Sequence, residues 1–409
     1  MTYEIVPGGH VTSPAGFKAG SVNCGIKQEK EDLVILFSEA PTEAAAKFTQ
    51  NQAAAAPVQI SRRVFRMNRV RAVLINSGNA NACTGEKGLS DALLTQAKSA
   101  EALGLSADQV ALASTGCIGV LLPIDNLLKG ICAAASTLSA DLGSRAAAAI
   151  MTSDTEKKEI AVKTIIDGKT VTIGGMAKGS GMINPSMATM LGFVTTDAAV
   201  DPDFLNQLVT DVVNDTFNMI TVDGDASTND TVMVLANGRA NNCLIDQNHP
   251  EHRKFSEAFF AVCKTLAISI VKDGEGATKL IEIATTGFAN EENARKAAKA
   301  VLNSNRLKTS IFAEDGYWGR IISSLGNSGV EFRVADLTLE LANSQGLVVK
   351  LLDRGRPMEY KEEQVASLLK DTHIIITINA SSGSASARGW GCDLSYDYVK
   401  ISGFYRNRS

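Results

Sequence analysis

The sequence predicts an α+β fold built in packed layers, on three observations. Strand-like and helix-like segments are mixed along the whole chain, in runs and without strict β–α–β alternation. At 409 residues the chain exceeds one ordinary core, so two lobes or one large layered unit are expected. Hydrophobic residues make up 45% but aromatics only 5%, and the many Ala and 34 Gly suit layers whose backbones approach closely.

The elements follow in order. Residues 32–38 (DLVILFS), 71–76 (RAVLIN) and 109–113 (QVALA) are short apolar runs leading into Gly, Ser or Asn, the pattern of buried strands. Residues 87–105 and 123–138 place apolar side chains at three- and four-residue spacing, as helices do. Between 159 and 173 two β-rich runs flank Asp167-Gly168, a pair that accepts positive φ and so marks a hairpin turn. Strands are predicted over 190–194 and 230–236, and a helix over 202–218 with Asp201 as cap and Pro202 at its first position. Helices are expected over 250–271 and 290–302, and the last hundred residues read as strands with one helix at 361–369. No repeat, low-complexity tract or Pro/Ser-rich linker marks a boundary.

Charge and cysteine usage exclude several classes of function. The formal net charge is −4 with a pI near 5.7, and no basic block stands ready to neutralise a phosphate backbone, so no nucleic-acid partner is expected. No apolar run approaches a membrane span, and residues 1–17 carry neither a signal nor a transit pattern, so a cytoplasmic location is expected. The seven cysteines are odd in number and form no CxxC pair, which fits reduced thiols. No metal is expected: His249-Pro250-Glu251-His252 reads as the polar start of a helix, and 223–230 has Thr228 where a calcium loop needs glycine. The four histidines, at 10, 249, 252 and 373, suggest no Ser-His-Asp or Cys-His pairing.

The chemistry concentrates in residues 174–191, GGMAKGSGMINPSMATML. It is not a phosphate loop, because its lysine is not followed by Ser or Thr in the required spacing. One reading is a flexible surface loop with a solvated Lys178. The other makes Thr189 a nucleophile. A hydroxyl needs a base, and an N-terminal threonine carries its own, an α-amine with a pKa of about 7.7 to 8.0. That requires cleavage between Ala188 and Thr189, by attack of the hydroxyl on the Ala188 carbonyl and hydrolysis of the resulting ester. Without cleavage Thr189 is one β-branched residue entering a strand. A second segment, ALASTGCIGV at 111–120, offers the Thr115 hydroxyl and the Gly116 N–H as oxyanion donors, or is an ordinary strand exit.

Several segments together resemble a known family: PAGFKAGSVNCGIK at 14–27, NSGNANACTG at 76–85, STGCIG at 114–119, MTSDT at 151–155, AKGSGMINPSMATML at 177–191, TVDGDASTNDT at 221–231, KDGEGA at 272–277, WGRI at 318–321 and WGCDLSYDY at 390–398. In that order they resemble the ornithine acetyltransferases of arginine biosynthesis, the bifunctional glutamate N-acetyltransferase/amino-acid acetyltransferases. The resemblance implies an N-terminal-nucleophile-type enzyme of layered αββα architecture that cuts itself into an α chain, 1–188, and a β chain, 189–409. It makes Thr189 the nucleophile and matches Thr115 and Gly116 to the oxyanion-hole positions.

It also matches Thr152, Lys178, Thr189 and Glu275 to substrate-contacting positions. Two further substrate positions fall at Ser402, where the family has Asn, and near Asn407, where it has a terminal hydroxyl residue. The implied reaction is ping-pong: Thr189 takes acetyl from N-acetylornithine, releasing ornithine, and glutamate removes it. Acetyl-CoA is a further donor in bifunctional members, no other cofactor is implied, and the assembly is two α and two β chains. Lys178 suits an α-carboxylate and Glu275 the cationic end of ornithine. The competing reading is a self-processing aminopeptidase or amidase of the same fold, with water as the acceptor.

Overall fold

The computed structural model describes residues 2–184 and 190–404. Its strands form three sheets. A four-stranded sheet runs in the order Phe17–Val22, Leu33–Ser38, Ala72–Asn79, Val110–Cys117. A six-stranded sheet runs Tyr3–Ile5, Lys158–Ile166, Lys169–Lys178, Leu191–Thr196, Thr231–Ala236, Glu43–Phe48.

These two sheets lie face to face. Strand alternation sends Val34, Leu36 and Ile75 of the first and Met176, Phe193 and Met233 of the second into one shared apolar core. The outer face of the four-stranded sheet carries the helices Gly85–Leu103 and Ile124–Ser136. There a Cβ on Gly20 would fall 2.1 Å from the Ala134 carbonyl oxygen, so only glycine fits under the helix. The outer face of the six-stranded sheet, through Ile173, Val194 and Val234, packs on the helices Pro202–Asp215 and His252–Lys272. Helices, sheet, sheet and helices therefore stack in the αββα order that the resemblance implies.

A third, seven-stranded sheet adds a layer that residue patterns alone did not separate. Its order is Ile220–Thr221, Ala385–Cys392, Leu280–Phe288, His373–Asn379, Thr338–Asn343, Val348–Asp353, Arg356–Pro357. It is one-sided: Ile374, Ile376 and Ile378 are buried with Leu339, Leu341 and the helix Glu291–Leu302, while the alternate residues are half-buried. Three helices also depart from the strand-rich reading of the C-terminal region: Asn305–Phe312, Gly319–Gly326 and Tyr396–Ser402. At seven or eight residues they are too short to display a helical period, although Ser304 and Ser395 cap two of them through their side chains.

The hairpin is as read, with Asp167 at φ 50° and Gly168 at φ 70°. His249 closes it from outside, its Nε2 3.1 Å from the Asp167 carboxylate, instead of serving only as the start of a helix. The strand beyond the turn is longer than its composition suggests. GGMAK is its last stretch, not a loop, and its glycines answer close packing: a Cβ on Gly174 would meet the His10 carbonyl oxygen at 2.4 Å, and one on Gly175 would meet Leu266 at 2.8 Å. Among the described residues no helix is long and apolar enough to cross a membrane.

Candidate active site

Two strand ends meet where the facing sheets open. Val110–Cys117 continues through Ser114-Thr115-Gly116, so this segment is a bulged strand and not a strand exit. Gly116 has φ 134°, and a Cβ there would lie 2.1 Å from the Gly78 carbonyl carbon. Only glycine allows that backbone to press against its neighbour. Opposite, Lys169–Lys178 ends on Lys178, on the face turned to the four-stranded sheet.

Lys178 is 6% exposed, which corrects the solvated-loop reading. Its Nζ donates to the Thr152 hydroxyl at 2.7 Å, lies 3.4 Å from the Thr115 hydroxyl, and is 3.7 Å from the Asp154 carboxylate. Asp154 is the hub beneath it. One carboxyl oxygen accepts from the Gly179 N–H and from Lys158 Nζ, each at 2.7 Å, and the other from the Thr152 N–H at 2.9 Å. Burial alone would raise its pKa, but the Lys178 and Lys158 charges and these hydrogen bonds outweigh it and hold the carboxyl well below the usual carboxylate range. Lys158 is shared with Asp273 at 2.5 Å, and Asp273 accepts from the Thr155 and Glu156 N–H groups. Two lysines and two aspartates thus close a buried, balanced network that fixes the loop carrying Thr152.

Glu275 arrives from a different element, just after the helix His252–Lys272. Its N–H donates to the Ser180 carbonyl at 2.9 Å, and its carboxylate presses on Gly181, where a Cβ would come within 2.6 Å of it. Burial raises its pKa, opposed by a hydrogen bond from Ser153 and reinforced by the nearby Asp223 charge. Asp223 in turn accepts from the Met182 N–H at 2.6 Å and the Ile183 N–H at 2.8 Å, pinning the chain on its way to residue 184, with Met182 at φ 56°. Asn229 ties the two halves together, donating to the Ala80 and Ser114 carbonyls at 2.7 and 2.9 Å.

These groups surround a cavity of about 270 Å³. Thr115, Gly116, Thr152, Lys178, Glu275 and Ser402 all line it, so the structure gathers every candidate residue that it describes. Ser402 reaches it from the helix Tyr396–Ser402. Ala188, Thr189 and Asn407 lie outside the described residues. Sequence reasoning missed Ser153, Ser227 and Asn229 on the wall, and Asp154, Lys158, Asp223 and Asp273 behind it. Most of them stand inside the segments that carry the family resemblance, yet spacing could assign them no role, because their partners are remote in sequence. Among the described residues no group of three or more His, Cys, Asp or Glu side chains could hold a metal ion.

The arrangement places the Thr115 hydroxyl, the Gly116 backbone, the Lys178 cation and the Glu275 carboxyl around a space sized for a small polar molecule. A family model described as the ArgJ family matches residues 18–407. The arginine biosynthesis bifunctional protein ArgJ of Caldanaerobacter subterraneus subsp. tengcongensis is 48% identical over 398 residues, covering 97% of this chain and 98% of its own. That of Symbiobacterium thermophilum is 48% identical over 401 residues, with the same two coverages. The crystal structure of the arginine biosynthesis bifunctional protein from Bacillus halodurans is similar to 53% of this chain along 99% of its own, at 42% identity and a TM-score of 0.50. With the match spanning nearly all of its length, the chain belongs to the ArgJ family.

Proposed function

We propose that the chain transfers an acetyl group from N-acetylornithine to glutamate in arginine biosynthesis, through an acetyl-threonine at Thr189. The observation that carries this reading is convergence: six positions between 115 and 402, matched by resemblance to one active site, line one cavity. The solved Bacillus halodurans chain also spans about the share of this chain taken by residues 189–409, which supports division before Thr189 into an α and a β piece.

In the first half-reaction the α-amine of Thr189 takes the proton from its own hydroxyl, and Oγ attacks the acetyl carbonyl. The oxyanion forms between the Thr115 hydroxyl and the Gly116 N–H. Collapse expels the ornithine nitrogen with the proton and leaves the acetyl ester. Glutamate's amine then attacks the ester and regenerates the hydroxyl. Lys178 holds the α-carboxylate, and Glu275 the side-chain ammonium of ornithine. An arriving cation favours the ionised form of a carboxyl that burial has made reluctant to ionise, so binding and charging reinforce one another. Thr152, Ser402 and Asn407 complete the substrate contacts. Acetyl-CoA serves as a second donor, and the working assembly is a cytoplasmic α2β2 heterotetramer.

One assay tests the transfer. Purified protein given N-acetylornithine should release ornithine quickly only when glutamate is present, with N-acetylglutamate as the co-product. Acetate formed equally fast without glutamate would assign the chain to the hydrolytic aminopeptidase or amidase class instead. Replacing N-acetylornithine with acetyl-CoA in the same assay tests the second donor.

A further inference from the structure

Three backbone carbonyls hold the Lys27 ammonium. Its Nζ donates to the Glu31 carbonyl at 3.1 Å, the Ala149 carbonyl at 3.0 Å and the Met151 carbonyl at 2.6 Å. Three acceptors take all three N–H groups, so the bonding is that of the charged form. The other lysines of the site stand on carboxylates, Lys158 on Asp154 and Asp273 and Lys178 on Asp154, whereas Lys27 makes no ion pair among the described residues. Burial lowers its pKa to about 8, with Asp32 opposing the fall and Lys178 adding to it. Keeping this cation here is costly and asks for a reason.

The loop that carries it is fixed at its root. The buried Asp32 carboxylate accepts from the Cys24, Ile26 and Lys27 N–H groups at 2.7, 2.7 and 2.8 Å. The Lys27 stem then runs past Gly78, where a Cβ would come within 3.3 Å of Lys27 Cγ and 2.8 Å of the Ile26 side chain. At the far end lies the peptide between Met151 and Thr152. Its carbonyl accepts from Lys27 and its N–H donates to Asp154 at 2.9 Å, so one planar unit is held at both ends. Ser77 adds a hydrogen bond to the Ala149 carbonyl at 2.6 Å. A fixed peptide plane sets the direction in which the Thr152 side chain leaves. Its hydroxyl accepts from Lys178 Nζ at 2.7 Å and keeps its own proton for an acceptor in the cavity that both residues line.

We propose that Lys27 is a positioning residue for the substrate's α-carboxylate: it clamps the Met151–Thr152 peptide so that the Thr152 hydroxyl and the Lys178 ammonium point at that group together. The inference rests on the reading that Lys178 and Thr152 contact the substrate. Lys27 itself stands behind the cavity wall. Without its clamp Asp154 still holds the peptide N–H, but the plane can tilt about that single bond and the hydroxyl swings away from the carboxylate. Recognition of the carboxylate therefore suffers, while a substrate that has none loses nothing.

The test compares purified full-length parent and K27M at pH 7. kcat/KM is read from amine release with N-acetylornithine and with N-acetyl-1,4-diaminobutane, the same amide without the carboxylate, using enzyme in excess where turnover is slow. K27M should fold with the parental circular-dichroism spectrum. Its kcat/KM for N-acetylornithine should fall at least about tenfold, the low end for losing one hydrogen bond to a charged group, and its value for N-acetyl-1,4-diaminobutane should stay within about twofold of the parent. An equal fall for both amides is what a merely structural lysine gives, and it overturns the proposal, as does an unchanged value for N-acetylornithine; either leaves the substrate contacts of Lys178 and Thr152 standing. A parent that takes both amides equally well overturns the carboxylate contact itself, and the proposal with it. Should K27M fail to fold, K27A takes its place under the same outcomes. If neither folds, Lys27 is structural and the proposal falls.

Discussion

Two cavities in this protein teach opposite lessons about size. The larger, about 600 Å³, lies along the edge strand Glu43–Phe48 between the helices Ala56–Arg66 and Pro202–Asp215, and its charged lining includes Lys47, Arg62, Arg66 and Asp203. Arg66 and Asp203 are exposed to water there. The smaller, about 270 Å³, has Lys178 on its wall and Asp154 and Lys158 behind it, none more than 6% exposed. Charges in water are screened and interchangeable, whereas buried charges must be paired, oriented and shifted in pKa. Chemistry follows the second condition and not the volume.

The comparison breaks most readily at Asp154. Asp154→Asn leaves two buried lysines short of a partner and should cost about 3–5 kcal/mol in urea unfolding. The carboxyl's lowered pKa gives the sign of its pH dependence. Its stabilisation is present above the unfolded value of about 3.9 and is lost as pH falls through the folded value, so the gap between parent and variant should close only on the acid side of about pH 4. A gap that stays constant into strong acid would show that the pairing is not what Asp154 contributes.

Thr115→Ala comes next, measured in turnover of processed protein. Losing one oxyanion donor should lower kcat by about 10²–10³, or about 2.7–4 kcal/mol, with little change in melting temperature. A parental kcat would remove Thr115 from the site.

Glu275→Gln sharpens the contrast by pH. Burial raises the Glu275 pKa, so its contribution is fully present below the unfolded value of about 4.3 and is lost as pH rises through the folded value. The variant should therefore gain stability relative to the parent as pH rises from the carboxylate range to neutrality, while its KM for N-acetylornithine increases. Thermal melts across pH, together with the KM, check both signs. Arg66→Ala, at the larger cavity, is the smallest effect: within about 0.5 kcal/mol of the parent in stability, with turnover unchanged. A large loss there would restore the bigger cavity as a candidate site.

Much of the fold was legible because its signals are local. The Asp167-Gly168 turn, the Asp201 cap with Pro202, and the apolar run at 32–38 each depend on a few adjacent residues and fall where the sequence puts them. GGMAK misled for the opposite reason. Its glycines suggested a loop, yet they serve a strand squeezed between His10 and Leu266, neighbours that no local window contains. The short helix Gly319–Gly326 and the seven-stranded sheet were hidden in the same way, since too few residues carry each period.

The candidate site divides along that line. Sequence by itself determined which groups could matter: a threonine after Ala188, a Thr-Gly donor pair, Lys178 and Glu275, each recognisable by type and by the segment around it. Only the tertiary structure decided that Lys178 is buried and that Asp154 binds it to Lys158 and, through Lys158, to Asp273. The physical reason is that residue types and short-range spacing are written in the chain, while desolvation and charge pairing arise only when distant strands close over the same volume.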